Sequence, residues 1–154
     1  MRLSTHVIFA LGVTTLSASY GGVSMIDVLI LWGLVSLQQI LIDKLSHEFR
    51  GKYRTPLFHS FTGASILSLA LASLPPALSP MDYNRGQVLV YMTSLLLSGW
   101  SHLFLDSLNP GGIYILGKRV RIAKIRYDDP VANTFFQMLG LLMVVYSMSL
   151  RLGA

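Results

Sequence analysis

The residues best suited to chemistry in this sequence are its histidines and several of its aspartates. The chain contains four histidines and no cysteine, so imidazole and carboxylate groups are the side chains available to hold a transition metal. His102 and Asp106 are four residues apart, which places both on one face of a helix, and Asp43 and His47 have the same spacing. This pattern predicts a site for a divalent metal, and imidazole and carboxylate ligands suit zinc, manganese or iron. The predicted ligands are His6, Asp43, His47, His59, His102 and Asp106.

Two further residues are candidates for catalysis beside such a metal. Glu48 adjoins His47, where its carboxylate could act as a general base; the alternative is an exposed ion pair with Arg50 or Lys52. Arg54 precedes Pro56, which we expect in the first turn of a helix, where free amide groups and the guanidinium could bind a phosphate. In the alternative interpretation Arg54 only marks the cytoplasmic side of the membrane.

The composition that surrounds these groups is that of a membrane protein. Of the 154 residues 12% are charged and 53% are hydrophobic, whereas a soluble domain carries about 25% charged residues. This composition argues against a soluble enzyme, a disordered tail and a nucleic-acid-binding module, so no nucleic acid is expected as a partner. We predict one integral membrane domain over residues 1–154, with membrane lipid and a small-molecule or lipid substrate as its partners.

The segments between charged residues have the length of membrane spans. A helix needs about 20 apolar residues to cross a hydrocarbon core of roughly 30 Å, and a helix satisfies its own backbone polar groups there. The predicted fold class is therefore all-α, a polytopic membrane bundle of about five transmembrane helices. An alternative for the first segment is a cleaved signal peptide. The apolar segments are residues 3–26 (interrupted at 20–22), 28–42, 57–78, 87–105 and 131–150.

The basic residues predict how this bundle is oriented. All of the 12 basic residues except Arg85 and Arg151 fall on one side of a five-helix arrangement. The positive-inside rule assigns that side to the cytoplasm. We therefore expect a multi-pass protein of the cell (inner) membrane with a cytoplasmic amino terminus and an external carboxyl terminus. All four histidines then lie at cytoplasmic helix ends or in a cytoplasmic loop.

A small cytoplasmic β-hairpin is predicted within residues 113–122. Two short apolar and basic runs, 113–116 and 119–122, flank Gly117 and Lys118, and Gly117 can take the positive φ that a two-residue turn requires. The basic residues of this loop either hold anionic lipid headgroups or serve only as an orientation signal.

Several short motifs resemble those of a known family over most of the chain. They are Thr-His-Val-Ile-Phe at 5–9, Asp43, residues 54–60, Gly-Trp-Ser-His-Leu-Phe-Leu-Asp at 99–106, and Asn-Pro-Gly-Gly at 109–112. They are similar, in this order, to motifs of the YdjM-type membrane-bound predicted metal-dependent hydrolases and of short archaeal relatives of unknown function. The sequence departs from that pattern after Asp43, where the second aspartate is missing, and before His59, where Arg54 is five residues away instead of four.

The resemblance implies a metal site and a hydrolytic function. Its metal-site residues are His6, Asp43, His59, His102 and Asp106, with Arg54 nearby. The leading hypothesis is a metal-dependent hydrolase, with zinc as the expected ion, that cleaves an ester or phosphoester of a lipid-like substrate at the cytoplasmic interface. The alternatives are a non-enzymatic membrane scaffold with a structural polar or metal cluster, and a metal or proton transporter.

Overall fold

The computed structural model describes residues 1–48, 57–79 and 83–152, except for the side chains of 46–48. It is an α-helical bundle with one small antiparallel sheet, so the predicted fold class is confirmed. The elements in chain order are α1 (Leu3–Tyr20), α2 (Met25–Glu48), α3 (Phe61–Ala72), α4 (Leu74–Leu78), α5 (Arg85–Ser107), β1 (Ile113–Ile115), β2 (Lys118–Val120) and α6 (Pro130–Leu152).

Among the residues that the structure describes, four helical stretches are long and apolar enough to cross a membrane, which indicates a membrane protein. In α6 only 11% of the most apolar window is buried inside the bundle, although the helix is rich in large apolar side chains. Such an outward-facing apolar surface is stable in contact with lipid and would promote aggregation in water. The four stretches are Met25–Leu45, Phe61–Leu78, Arg85–Ser107 and Pro130–Leu152.

Helix α1 is the one predicted span that falls outside this set. It nevertheless runs beside α6 from end to end. At the amino-terminal ends the Arg2 backbone N–H donates to Asn133 Oδ1 at 3.0 Å, and at the carboxyl-terminal ends Arg151 donates to the Ala18 carbonyl at 2.9 Å. It also packs against α2 and α5, so other helices cover much of its surface. Small and polar residues on this covered surface lower its hydropathy; they include Thr5, His6, Gly12, Thr14 and Thr15.

Helix α3 begins later than expected. Its amino-terminal cap is Ser60, whose side chain accepts the Gly63 N–H at 3.1 Å, and the helix starts at Phe61. The expectation that Pro56 opens this helix is therefore wrong. A Cβ at Gly63 would collide with the Leu57 carbonyl oxygen, so glycine lets the preceding turn fold back against the helix. This turn, rather than the first helical turn, carries His59.

The predicted hairpin is confirmed, with its turn one residue earlier than expected. Ile115 pairs with Lys118, so the turn residues are Leu116 and Gly117, with φ of 48° and 76°. Positive φ at both positions is the type I′ geometry that matches the twist of the strands, and glycine is favoured at the second position. Gly117 therefore belongs in the second turn position and not in the first.

Glycines allow α1 and α6 to approach closely. A Cβ at Gly12 would collide with the backbone of Gly140, and a Cβ at Gly140 would collide with the backbone at Ile8. Small residues at such crossings are the usual means by which membrane helices gain packing contacts. The contact holds the helix that carries His6 against the bundle.

Gly12→Ala should destabilise the protein, because the added methyl group must push α1 and α6 apart. We expect a loss of about 1–3 kcal/mol, the cost of overpacking a tight contact, seen as a lower thermal midpoint in detergent. Gly33→Ala is the matched control, since a Cβ at Gly33 in α2 meets nothing within 4 Å. The control should gain up to about 1 kcal/mol through helix propensity. Equal midpoints for the two variants would contradict the close helix crossing.

Candidate metal centre

Three histidines converge on the carboxylate of Asp106. His59 Nε2 and His102 Nε2 lie 3.0 and 3.2 Å from Asp106 Oδ2, and His6 Nε2 lies 3.5 Å from Oδ1. These residues come from separate parts of the chain, so the predicted convergence of distant polar side chains is confirmed for this set.

Three different parts of the chain position the members of the cluster. His102 and Asp106 occupy one face of the last turns of α5, as their spacing predicts. His6 lies in the first turns of α1, where the neighbouring Thr5 hydroxyl donates to Asn133 Oδ1 of α6 at 2.6 Å. His59 lies in the turn before α3.

The cluster is almost completely buried. His6, His59, His102 and Asp106 are each at most 3% exposed. A carboxylate in such surroundings is strongly destabilising unless protons or cations neutralise it. Ionisable groups at the end of a membrane helix are retained when they pair with one another or hold an ion.

The atoms that face one another suit a metal ion. His6, His102 and Asp106 offer ligand atoms that all lie within 4.8 Å of one another. The rings of His6 and His102 stack with centroids 4.1 Å apart, while the ring of His59 lies 6.0 Å from that of His102. Two imidazoles and one carboxylate form a donor set found in catalytic zinc sites. His59 contacts the same carboxylate but does not belong to this group of three.

Two polar residues that sequence reasoning missed contact the cluster. Asn109 is 2% exposed, and its Nδ2 donates to Asp106 Oδ1 at 3.3 Å. Gln39 is fully buried, and its Oε1 lies 2.7 Å from His102 Nδ1. The sequence does contain a signal for Gln39, because an amide side chain within the apolar segment 28–42 needs a polar partner inside the bundle.

The β-hairpin braces the turn that carries His59. The Tyr114 N–H donates to the His59 carbonyl at 2.8 Å, and Tyr114 forms an isolated parallel bridge with Ser60. After the hairpin, the Ile122 N–H donates to the Ser107 carbonyl at 2.8 Å, at the end of α5. The loop is therefore part of the scaffold that positions the site.

Of the remaining predicted site residues, Asp43 is the one whose side chain the structure describes. Helices α2 and α5 run in the same direction, because Asp27 meets Tyr91 at one end and Gln39 meets His102 near the other. Asp43, one turn beyond Gln39, therefore lies about level with Asp106. It is half-buried and outside the group of three, so its role as a ligand stays a prediction.

Three predictions fall on parts of the chain that the structure does not describe. Helix α2 continues through His47 and Glu48, so Asp43 and His47 share a helical face as their spacing requires. The side chains of His47 and Glu48 lie outside the described residues, as does the whole of Arg54.

Comparison with known proteins assigns a family and no activity. A family model described as "Protein of unknown function (DUF1286)" matches residues 1–105. The chain belongs to this family. The DUF1286 match includes His6, His59 and His102 and ends one residue before Asp106. No curated protein and no solved structure matches the chain.

Asp106→Ala should strongly destabilise this DUF1286 protein, because three buried imidazoles would lose the carboxylate they share. Removing one partner of a buried ionic cluster costs about 3–5 kcal/mol, which thermal unfolding in detergent would measure. Asp128→Ala is the control. Its carboxylate pairs at 3.0 Å with the exposed Arg126, whose hydrogen bonds hold the pKa of Asp128 below its usual value. An effect of Asp106→Ala as small as that of the control would show that the cluster does not stabilise the fold.

Proposed function

We propose that this protein is a membrane-embedded, metal-dependent hydrolase that cleaves an ester or phosphoester bond of an amphiphilic, lipid-like substrate at the cytoplasmic interface. The observation that carries the proposal is the convergence of three buried imidazoles on one carboxylate at the end of a membrane span. The hydrolytic reaction class comes from the resemblance to YdjM-type proteins, whose Ser-His-X-X-X-Asp motif is intact at 101–106.

The cofactor in this proposal is a divalent cation, with zinc first among the candidates. His6, His102 and Asp106 would hold it, and His59 would support the same carboxylate from the turn before α3. A cation at such a site polarises a carbonyl or phosphoryl oxygen and acidifies water. Asn109 orients the Asp106 carboxylate by donating to Oδ1, so this oxygen keeps a fixed direction.

The depth of the cluster favours a lipid as substrate and partner. Asp106 precedes the last residue of the span Arg85–Ser107, so in this proposal it lies near the boundary between the hydrocarbon core and the headgroup region. The loop that follows exposes a row of cationic side chains, each of which attracts an anionic membrane surface by about 1 kcal/mol. These side chains are Lys118, Arg119, Arg121, Lys124 and Arg126.

Glu48 and Arg54 keep their proposed catalytic roles. The helix that carries Glu48 runs toward the end of the bundle where Asp106 lies, which supports a general base near the site. Arg54 belongs to the chain segment between Glu48 and His59, from which a guanidinium would bind the anionic part of a substrate.

The near-complete burial of the cluster favours a second candidate function. Catalytic metal sites keep an open position for water or substrate, whereas structural sites are closed. His59, His102 and Asp106 are each at most 1% exposed. In this alternative the cluster, with or without a metal, only holds the helices and the His59 turn together, and the protein acts as a scaffold.

Turnover by zinc-loaded protein in proteoliposomes tests the hydrolase. With vesicles of anionic phospholipid, we expect product release that mass spectrometry detects, and about a 10³-fold loss in Asp106→Asn because the site loses its charge. Asp27→Asn is the matched control, since Asp27 is also buried but bonds to Ser24 and Tyr91 at the opposite end. Stoichiometric metal without turnover of anionic or zwitterionic lipids would favour the scaffold, and absence of metal from the wild type would refute the metal-dependent mechanism.

Single introduced cysteines test the proposed orientation, because the chain has none of its own. Leu116 in the hairpin and Leu152 at the end of α6 are 98% and 90% exposed and lie at opposite ends of the bundle. With intact cells, a membrane-impermeant maleimide should label Leu152→Cys and leave Leu116→Cys unlabelled, and inverted vesicles should give the reverse. The opposite result would place the basic hairpin outside the cell.

A further inference from the structure

A buried amide connects α2 to the metal-binding face of α5. Gln39 Nε2 donates to Ser98 Oγ at 3.0 Å and to the Ser98 carbonyl oxygen at 3.3 Å, while Gln39 Oε1 lies 2.7 Å from His102 Nδ1. Gln39 and Ser98 are fully buried, and His102 is 1% exposed. The amide therefore bridges two residues that are one helical turn apart on the same helix.

The chemistry of these partners determines which way each group points. A carbonyl oxygen can only accept, so the NH₂ group of Gln39 must face Ser98. Oε1 then faces His102 and can only accept, so the imidazole must donate from Nδ1. The other ring nitrogen, Nε2, faces Asp106, and when only Nδ1 is protonated it carries the lone pair that a metal ion requires.

A glycine on α5 permits the close approach of the two helices at this level. A Cβ at Gly99 would lie 2.8 Å from Ser68 Oγ and 3.0 Å from Gln38 Nε2. Both distances are shorter than ordinary van der Waals contact, so a larger residue would displace the Ser68 and Gln38 side chains. Gly99 thus leaves room on α5 for the side chains of α2 and α3 at the level of Gln39.

We infer that Gln39 is a positioning residue that fixes the tautomer and the ring orientation of His102, so that Nε2 is presented to a metal ion. This role rests on the proposed metal site, but it adds a residue from α2 to a centre otherwise built from α1, α5 and the His59 turn. Partners of this kind on the outer nitrogen of a ligating histidine orient the ring and raise its basicity.

Cobalt titration of the purified full-length protein in detergent tests this role, with the visible d–d spectrum of Co²⁺ as the readout. Gln39→Met keeps the length of the side chain and removes the acceptor, so we expect about a 10–100-fold loss of Co²⁺ affinity and an altered spectrum. Gln38→Met is the matched control, because Gln38 is equally buried but bonds to Ser68 and the Leu95 carbonyl instead of a histidine. Gln39→Glu restores an acceptor and should recover Co²⁺ affinity and the wild-type spectrum.

The outcomes separate this inference from the proposed function. If the wild type binds no Co²⁺, the metal site itself fails and the role of Gln39 fails with it. If the wild type binds Co²⁺ and Gln39→Met matches Gln38→Met in affinity and spectrum, only the role of Gln39 is refuted. If Gln39→Met is not recovered as a monodisperse protein, Gln39→Glu decides the question. A Co²⁺ affinity of Gln39→Glu at least equal to that of the wild type supports the positioning role of Gln39, and weaker Co²⁺ binding by this variant overturns it.

Discussion

A carboxylate surrounded by three imidazoles inside an apolar bundle is the interaction on which the arrangement of this protein depends. Moving an isolated carboxylate from water into such an interior costs far more than a single hydrogen bond returns, so Asp106 requires close positive or protonated partners. The imidazoles of His6, His59 and His102 lie 3.0–3.5 Å from its oxygens. The three imidazoles come from α1, the turn before α3, and α5. Neutralising the Asp106 carboxylate therefore also determines how these three parts of the chain pack together.

The bundle combines a partly polar interior with an apolar exterior. Gln38 and Gln39 are fully buried and hydrogen-bonded between helices, whereas α6 turns most of its large apolar side chains outward. In lipid this distribution is stable because the exterior needs no water and interior amides find partners in neighbouring helices. Close approaches at Gly12 and Gly140 bring the backbones of α1 and α6 together, and Gly99 leaves room for the Gln38 and Ser68 side chains.

The hairpin connects exposed basic side chains to the cluster. Its strand β1 holds the His59 carbonyl through the Tyr114 N–H, and Arg119 donates to the Gly111 carbonyl at 2.6 Å, two residues beyond the Asn109 that contacts Asp106. The cationic residues proposed to meet lipid headgroups therefore belong to the structure that braces the site. The loop thus joins the turn that carries His59 to the carboxyl-terminal end of α5.

The sequence by itself determined the features that depend on local spacing. The gaps between charges located α5 and α6 to within two residues at each end, because the bilayer requires a nearly constant apolar length. The four-residue spacing of His102 and Asp106 determined their contact, because one helical turn brings such side chains together. The hairpin was also predictable, although its register was not, since Gly117 is compatible with either turn position.

Only the tertiary structure decided the contacts between distant segments. The pairing of Gln39 with His102 depends on the register of α2 against α5, and the position of His59 depends on how the hairpin docks onto its turn. The apolar length of α1 predicts a membrane span. Its position beside α6, and its coverage by α2 and α5, come from packing between helices. Side-chain spacing along one helix does not determine these contacts between helices, because they arise from packing between segments that are far apart in the chain.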